Sequence, residues 1–408
     1  MNQTEEKLAP VPPHERIREL DMLRGFALLG VIIVNSHMFN DTLLSFYYHS
    51  SNPFNFESVG DQAVALAIQV FATGKFYSLF SLLFGLGFYM FIERAIEKGY
   101  QAAPLYRRRL VILLFIGVAH MVFFWYGDIL FSYAITGFLL MFFRQKTPAQ
   151  LKKWIIGLLA FSVLFLAGIT TIQEIGMQSA GPEELAAVEA MVQESIQVYQ
   201  QEDYIVTLRY RLSNEIPMVM ASYLFWIPKV LALFLIGLAI GKKGIMKNLD
   251  AHRESIRRVF IRSALVGWPL TLLYVMLDSG VIHMPPVPGV FIAEAAREIT
   301  TVALCFFYAA GVLQLLQNRA WLERFEAFEV VGRMALTNYL FQSVFFSMFY
   351  YGYGVGMMHQ MPLWQTTVLT FGFFMLQVFI SRAYLERHSH GLIEQLWRQY
   401  TYKGMKPL

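Results

Sequence analysis

His120 and Asp128 stand in the stretch YRRRLVILLFIGVAHMVFFWYGDILFSYAITGFLLMFF, the histidine near the end of one apolar run and the aspartate at a Gly-Asp turn into the next. At about 1.5 Å per helical residue, His120 lies roughly 16 Å beyond the Arg107, Arg108 and Arg109 cluster that opens its run. His37 ends another apolar run, LDMLRGFALLGVIIVNSHMFN, and reaches a similar depth from Arg24, roughly 20 Å. Two imidazoles and a carboxylate at one level suit proton transfer. A neutral imidazole can remove a proton near pH 7, and a carboxylate fixes its tautomer and stabilises the imidazolium. His120 or His37 is the candidate base, Asp128 the orienter and Asn35 a polar support. The competing readings are plainer: Asp128 as a helix N-cap and His120 as a satisfied core histidine.

A second group suits anions. Asp21 and Arg24 can pair at i,i+3, either to anchor a helix at an interface or to present Arg24 to a phosphate, and Arg107, Arg108 and Arg109 crowd the same end. Lys229, deep in WIPKVLALF, could snorkel, pair with an acid, or bind an anionic ligand from a cavity wall. A third group holds Glu294, Arg297 and Glu298 on one helical face, with Asp61 and Lys75 near the same level. It reads as a substrate-facing charge cluster or as a neutralised clamp between helices. Asn338 and Gln342, four apart, suit hydrogen bonds between helices.

These residues need membrane helices to position them. With 56% hydrophobic and 15% charged residues in 408, the chain has the composition of a membrane protein. Apolar runs fall near 22–40, 74–93, 106–125, 128–143, 154–174, 217–240, 259–279, 291–316, 333–353 and 363–385, with 61–73 short or re-entrant. The expected fold is an all-α bundle of 10–11 transmembrane helices. Lysines and arginines gather in alternate loops, which predicts both termini in the cytoplasm. Four segments follow: a cytoplasmic N-terminal piece over 1–19, a transmembrane half over 20–174, an acidic outer loop over 175–216 with an amphipathic helix begun by Pro182, and a second half over 217–408. No cleavable signal peptide is expected, and no phosphate loop, dinucleotide fingerprint or HExxH zinc motif is found. Cys305 alone makes neither a disulfide framework nor a cysteine metal site, and no metal is expected. The net charge of +4 is too small and dispersed for a nucleic-acid partner; membrane lipids are the expected surroundings, and a homo-oligomer is compatible with the sequence.

RIRELDMLRGFALLGVIIVN, GKFYSLFSLLFGLGF, YRRRLVILLFIGVAH with GDIL, and VGRMALTNYLFQS followed by GLIEQLWRQYTY resemble the YeiB family of bacterial inner-membrane proteins along nearly the whole chain. At its first motif that family is similar to a wider group of membrane acyltransferases, which includes heparan-alpha-glucosaminide N-acetyltransferase and enzymes that decorate surface polysaccharides. The resemblance implies an acyl-CoA bound from the cytoplasm and an acyl group passed to a small-molecule or glycan acceptor on the far side. Leu20, Asp21, Leu23, Arg24 and Gly25 match the LDxLRG motif, and Val34 and Asn35 match the VN pair. The first-span histidine of the polysaccharide enzymes falls at Asn35; that of the glucosaminide enzyme lies after the VN pair, where this chain offers His37 and His49 at different offsets, and Leu392 stands where a proline is usual after Gly391. The competing function is a secondary transporter or exporter whose charges coordinate solute and protons, although no internal repeat supports it. A lipid-binding scaffold is the third reading.

Overall fold

The computed structural model describes residues 17–50 and 52–403, and among them all regular structure is helical. The predicted N-terminal segment lies, up to residue 16, outside the described residues. In chain order the helices are α1 (Arg18–Phe39), α2 (Val59–Phe71), α3 (Lys75–Glu97), α4 (Ala102–Phe123), α5 (Leu130–Met141), α6 (Pro148–Ser179), α7 (Pro182–Gln200) and α8 (Tyr204–Tyr210). A π turn, Arg211–Glu215, leads into α9 (Ile216–Lys242), followed by α10 (Arg253–Asp278), α11 (Pro286–Leu315), α12 (Arg319–Arg324) and α13 (Glu326–Arg333). The series closes with α14 (Ala335–Tyr350), α15 (Leu363–Arg387) and α16 (Leu392–Tyr402).

Each of the ten predicted spans is helical, and seven stretches among the described residues are long and apolar enough to cross a membrane. The other three fall short for physical reasons. The 12 residues of α5 and the 16 of α14 cover only about 18 and 24 Å, less than a hydrocarbon core, and α4 carries three arginines in its first turns. Of these, α5 is enclosed by the bundle, whereas α4 and α14 each keep an exposed apolar edge, marked by Phe115 and by Phe341 and Met348; the windows of α6 and α10 are only 17% and 22% buried and lie at its rim. The segment 61–73 makes most of the separate helix α2, and the chain breaks at Gly74, whose φ of 83° suits glycine.

Local chemistry sets the ends of the helices. Thr147 and Gln150 form a reciprocal cap with Pro148 at the first position of α6, which starts earlier and ends later than the predicted 154–174. Consequently the predicted outer loop is largely helix: Pro182 opens α7 as expected, and only a short connection separates it from α6. One crossing fixes the basic end of the bundle. A Cβ on Gly25 would lie 1.9 Å from the Phe328 carbonyl oxygen, and one on Gly332 would lie 1.8 Å from that of Asp21. So α1 and α13 meet backbone to backbone. This contact brings Arg24 and Arg333 to one cavity, which gives the glycine of the LDxLRG motif its physical reason.

Candidate active site

The cavity has a volume of about 580 Å³ and is built by α1, α3, α4, α5, α13, α14 and α16. At one end it is strongly basic, with Arg24, Arg94, Arg109, Arg333 and Arg398 in its wall. Asp21 accepts a hydrogen bond from Arg24 at 2.6 Å. Glu394, another wall residue, is committed to the backbone amides of Leu336 and Thr337 at 2.7 and 3.1 Å, where it caps the start of α14. Two of the acids are thus already engaged, and the surplus charge is positive. Among the described residues Arg333 Nε is buried without a hydrogen-bond partner, which leaves a donor for an anion.

The tail helix completes this end. Arg109 lies 3.7 Å over the Trp397 ring and 5.4 Å from the Phe91 ring, and Trp397 Nε1 donates to the Arg109 carbonyl at 2.9 Å. Such a sandwich holds a guanidinium flat and fixes the direction of its donors. Arg107 and Arg108, predicted beside it, are exposed and do not line the cavity; Arg108 instead donates to the Lys403 carbonyl at 2.5 Å. Helical geometry turns them away. Only Arg109 of the three points inward.

Away from the arginines the wall becomes apolar, with Val31, Leu83, Phe84, Leu113 and Leu130, and reaches Ile129, Tyr133 and Tyr339. Beyond Tyr339 lies the His120–Asp128 pair, with the Tyr339 and His120 rings 5.2 Å apart between centroids. His120 Nδ1 and Asp128 Oδ2 are 2.6 Å apart, and the two side chains are 1% and 0% exposed. Asp128 Oδ1 accepts from the Phe131 amide at 2.6 Å. The aspartate therefore is both a cap for α5 and the partner of the histidine, so the two sequence readings of Asp128 coexist. With a proton on Nδ1 shared with Asp128, Nε2 carries the lone pair, and among the described residues Nε2 is buried without a partner.

A segment from α7 to the π turn covers the far side of the pair. Tyr204 donates to the Phe123 carbonyl at 2.8 Å and Arg211 to the Val122 carbonyl at 3.1 Å, one turn along α4 from His120. Thr42 and Ser195 share a hydrogen bond of 2.7 Å, and the Gly352 amide donates to the Tyr199 carbonyl.

The remaining predicted residues go elsewhere. His37 packs against the Phe46 and Phe56 rings, with centroids 5.5 and 5.7 Å away, and Asn35 is half-buried; neither lines the cavity. Asp61 caps α15 by accepting from the Trp364 amide at 3.0 Å. Lys229 also lies apart from the arginines, paired with Glu298 at 2.5 Å. Arg297 bridges Glu294 at 2.8 Å and Asp278 at 2.6 Å, and Lys75 donates to the Gln69 carbonyl at 2.6 Å. This is a balanced set of three cations and three carboxylates joining α3, α9, α10 and α11. Sequence reasoning did not single out Tyr339, Arg398, Trp397 or Glu394. The first is one of many aromatics, and the others sit on a polar tail whose packing partner is 288 residues away.

A helical multi-pass membrane protein with an anion-ready cavity leading toward a buried histidine–aspartate pair is the class these features define. Residues 240–404 match the family model described as "Protein of unknown function (DUF418)". The chain is 31% identical over 413 residues to the uncharacterized protein YxaH of Bacillus subtilis (strain 168), covering 98% of each chain. It is 28% identical to an uncharacterized 39.9 kDa protein from the amylase 3' region of Bacillus acidopullulyticus, over 98% of this chain and 97% of that one. With the uncharacterized protein YeiB of Escherichia coli (strain K12) the identity is 26%, over 96% of this chain and 98% of that one. The chain belongs to the YeiB family, whose carboxy-terminal part is the DUF418 region. No solved structure matches it.

Proposed function

We propose that this protein transfers an acyl group from a cytoplasmic acyl-CoA to a hydroxyl or amine acceptor at the opposite face of a bacterial inner membrane. The observation that carries the reading is the cavity itself, which has arginines at one end and the His120–Asp128 pair just beyond the other. The phosphates of CoA match the guanidinium groups of Arg24, Arg109 and Arg333. Eleven helical residues, about 16 Å, separate Arg109 from His120. The pantetheine arm must bridge that interval, and the apolar wall accepts it.

The chemistry then balances as follows. The acceptor oxygen or nitrogen attacks the thioester carbonyl carbon while His120 Nε2 takes its proton, and Asp128 stabilises the resulting imidazolium. The tetrahedral intermediate collapses with loss of the CoA thiolate, which recovers the proton from His120 as the ester or amide is released. The reading places the basic end, and both termini, in the cytoplasm.

The test is purified protein in nanodiscs supplied with radiolabelled acetyl-CoA and a panel of small hydroxyl and amine acceptors. His120→Ala should lower transfer by about 10²–10⁴-fold while CoA still binds. His37→Ala should leave transfer near the wild-type rate. If His120→Ala transfers normally, the assignment of the base is wrong. If the native protein transfers nothing but moves solute in vesicles, the transporter reading replaces this one.

A further inference from the structure

Three tyrosines gather around the turn that follows Asp128, and they differ in what their hydroxyls do. Tyr223 donates to the Asp128 carbonyl at 3.2 Å. Tyr133 donates to the Tyr77 carbonyl at 3.0 Å and shares a 2.8 Å hydrogen bond with Ser81. The Ile129 amide faces the Tyr339 oxygen, but among the described residues the Tyr339 O–H donates to no acceptor, although the residue is only 4% exposed. A buried O–H donor without an acceptor is disfavoured, so a fold selected only for stability would leave no such donor here. Tyr339 also lines the cavity, together with Ile129, and its ring packs on His120.

We propose that the Tyr339 hydroxyl is the oxyanion donor of the site: it binds the carbonyl oxygen of the acyl group and stabilises the negative charge that develops there. This rests on the acyl-transfer reading and adds a catalytic group to it. The geometry gives the two groups separate tasks. Asp128 fixes His120 to hold the acceptor's proton at Nε2, while Tyr339 offers an O–H to the donor side. During attack the carbonyl π electrons move onto oxygen, the oxyanion accepts the Tyr339 hydrogen bond, and the electrons return as the thiolate leaves. Tyr339 keeps its own proton throughout. A fixed donor that needs no reorganisation as charge appears is the most effective form of such stabilisation.

The experiment uses the full chain in nanodiscs with acetyl-CoA carrying carbon-13 at the carbonyl, read by isotope-edited infrared spectroscopy, together with transfer kinetics and thermal unfolding. In the wild type the bound carbonyl band should sit below its position in an apolar solvent. Tyr339→Phe should keep acetyl-CoA affinity within about twofold, lose that downshift, and lower kcat by about 10²-fold. Its melting temperature should be equal to or above the wild type. Tyr133→Phe, which removes a hydroxyl already committed to protein groups, should leave the carbonyl band in place. Difluorotyrosine at position 339, which keeps the ring and strengthens the donor, should push the band further down, so the assignment stays open to refutation even if the phenylalanine variant misfolds. An unchanged band in Tyr339→Phe or in the fluorinated protein overturns it while acyl transfer stands. A wild type that binds no acetyl-CoA overturns both.

Discussion

Asp128 divides its two oxygens between two tasks, one for the backbone of α5 and one for His120. The division makes the residue separable by substitution. Asp128→Asn retains a carbonyl oxygen for the cap but loses the charge that supports an imidazolium, so the protein should unfold near the wild-type temperature while transfer falls by roughly 10²-fold or more. Asp128→Ala loses the cap as well and should cost a further 0.5–2 kcal/mol or so of stability. An asparagine variant with full activity would reduce Asp128 to a helix cap. At the other end of the cavity the informative residue is Arg109. Arg109→Lys keeps the charge but not the flat group held between Phe91 and Trp397, so CoA affinity, measured by calorimetry, should drop several-fold and respond more steeply to salt. Equal affinity in the lysine variant would mean that charge alone matters there.

Among the helices, the balanced charge set joining α3, α9, α10 and α11 behaves as a clamp. Lys229 and Glu298 are largely buried, with side chains 2% and 12% exposed. Lys229→Met alone strands a carboxylate and should destabilise the protein by roughly 3–5 kcal/mol, whereas Lys229→Met with Glu298→Leu should recover most of that loss. Thermal unfolding in detergent reads both. A double variant as weak as the single one would point to a role beyond pairing. The clamp was partly legible in the sequence, since Glu294, Arg297 and Glu298 share a helical face and pairing was one reading of Lys229, but Asp278 and the identity of the Lys229 partner were not. Helical periodicity reports which side a residue takes, not which helix stands opposite. The same limit explains Asp61, whose carboxylate caps a helix 303 residues later. The spans themselves were legible because length and hydropathy are local. The His120–Asp128 pair was legible for a related reason: only a tight turn separates its two helices, so sequence distance and spatial distance agree.

At the scale of the whole molecule, the five cavity arginines stand at one end and the α7-to-π-turn cover at the other. The functional reading puts these ends on opposite sides of the membrane. Ser179 and Ser389 are both exposed and mark the two ends. With Cys305 replaced, a cysteine at Ser179 should react with an impermeant maleimide from outside intact cells, and one at Ser389 only after the membrane is opened. The opposite pattern would reverse the direction of any transfer.

The seating of α16 against Arg109 bears on how the protein is made and how it can be divided. Residues 240–404 contain α16, α13 and α14, but Arg24, Arg109, His120 and Asp128 all come from earlier in the chain. The region that the family model marks therefore supplies only part of the cavity wall. During synthesis, Arg109 is made 288 residues before Trp397, and until Trp397 follows the wall of the cavity is open on that side. A hybrid that joins the first half of this chain to the second half of a distant relative would have to match Trp397 to Arg109 and Gly332 to Gly25 before it could rebuild that cavity.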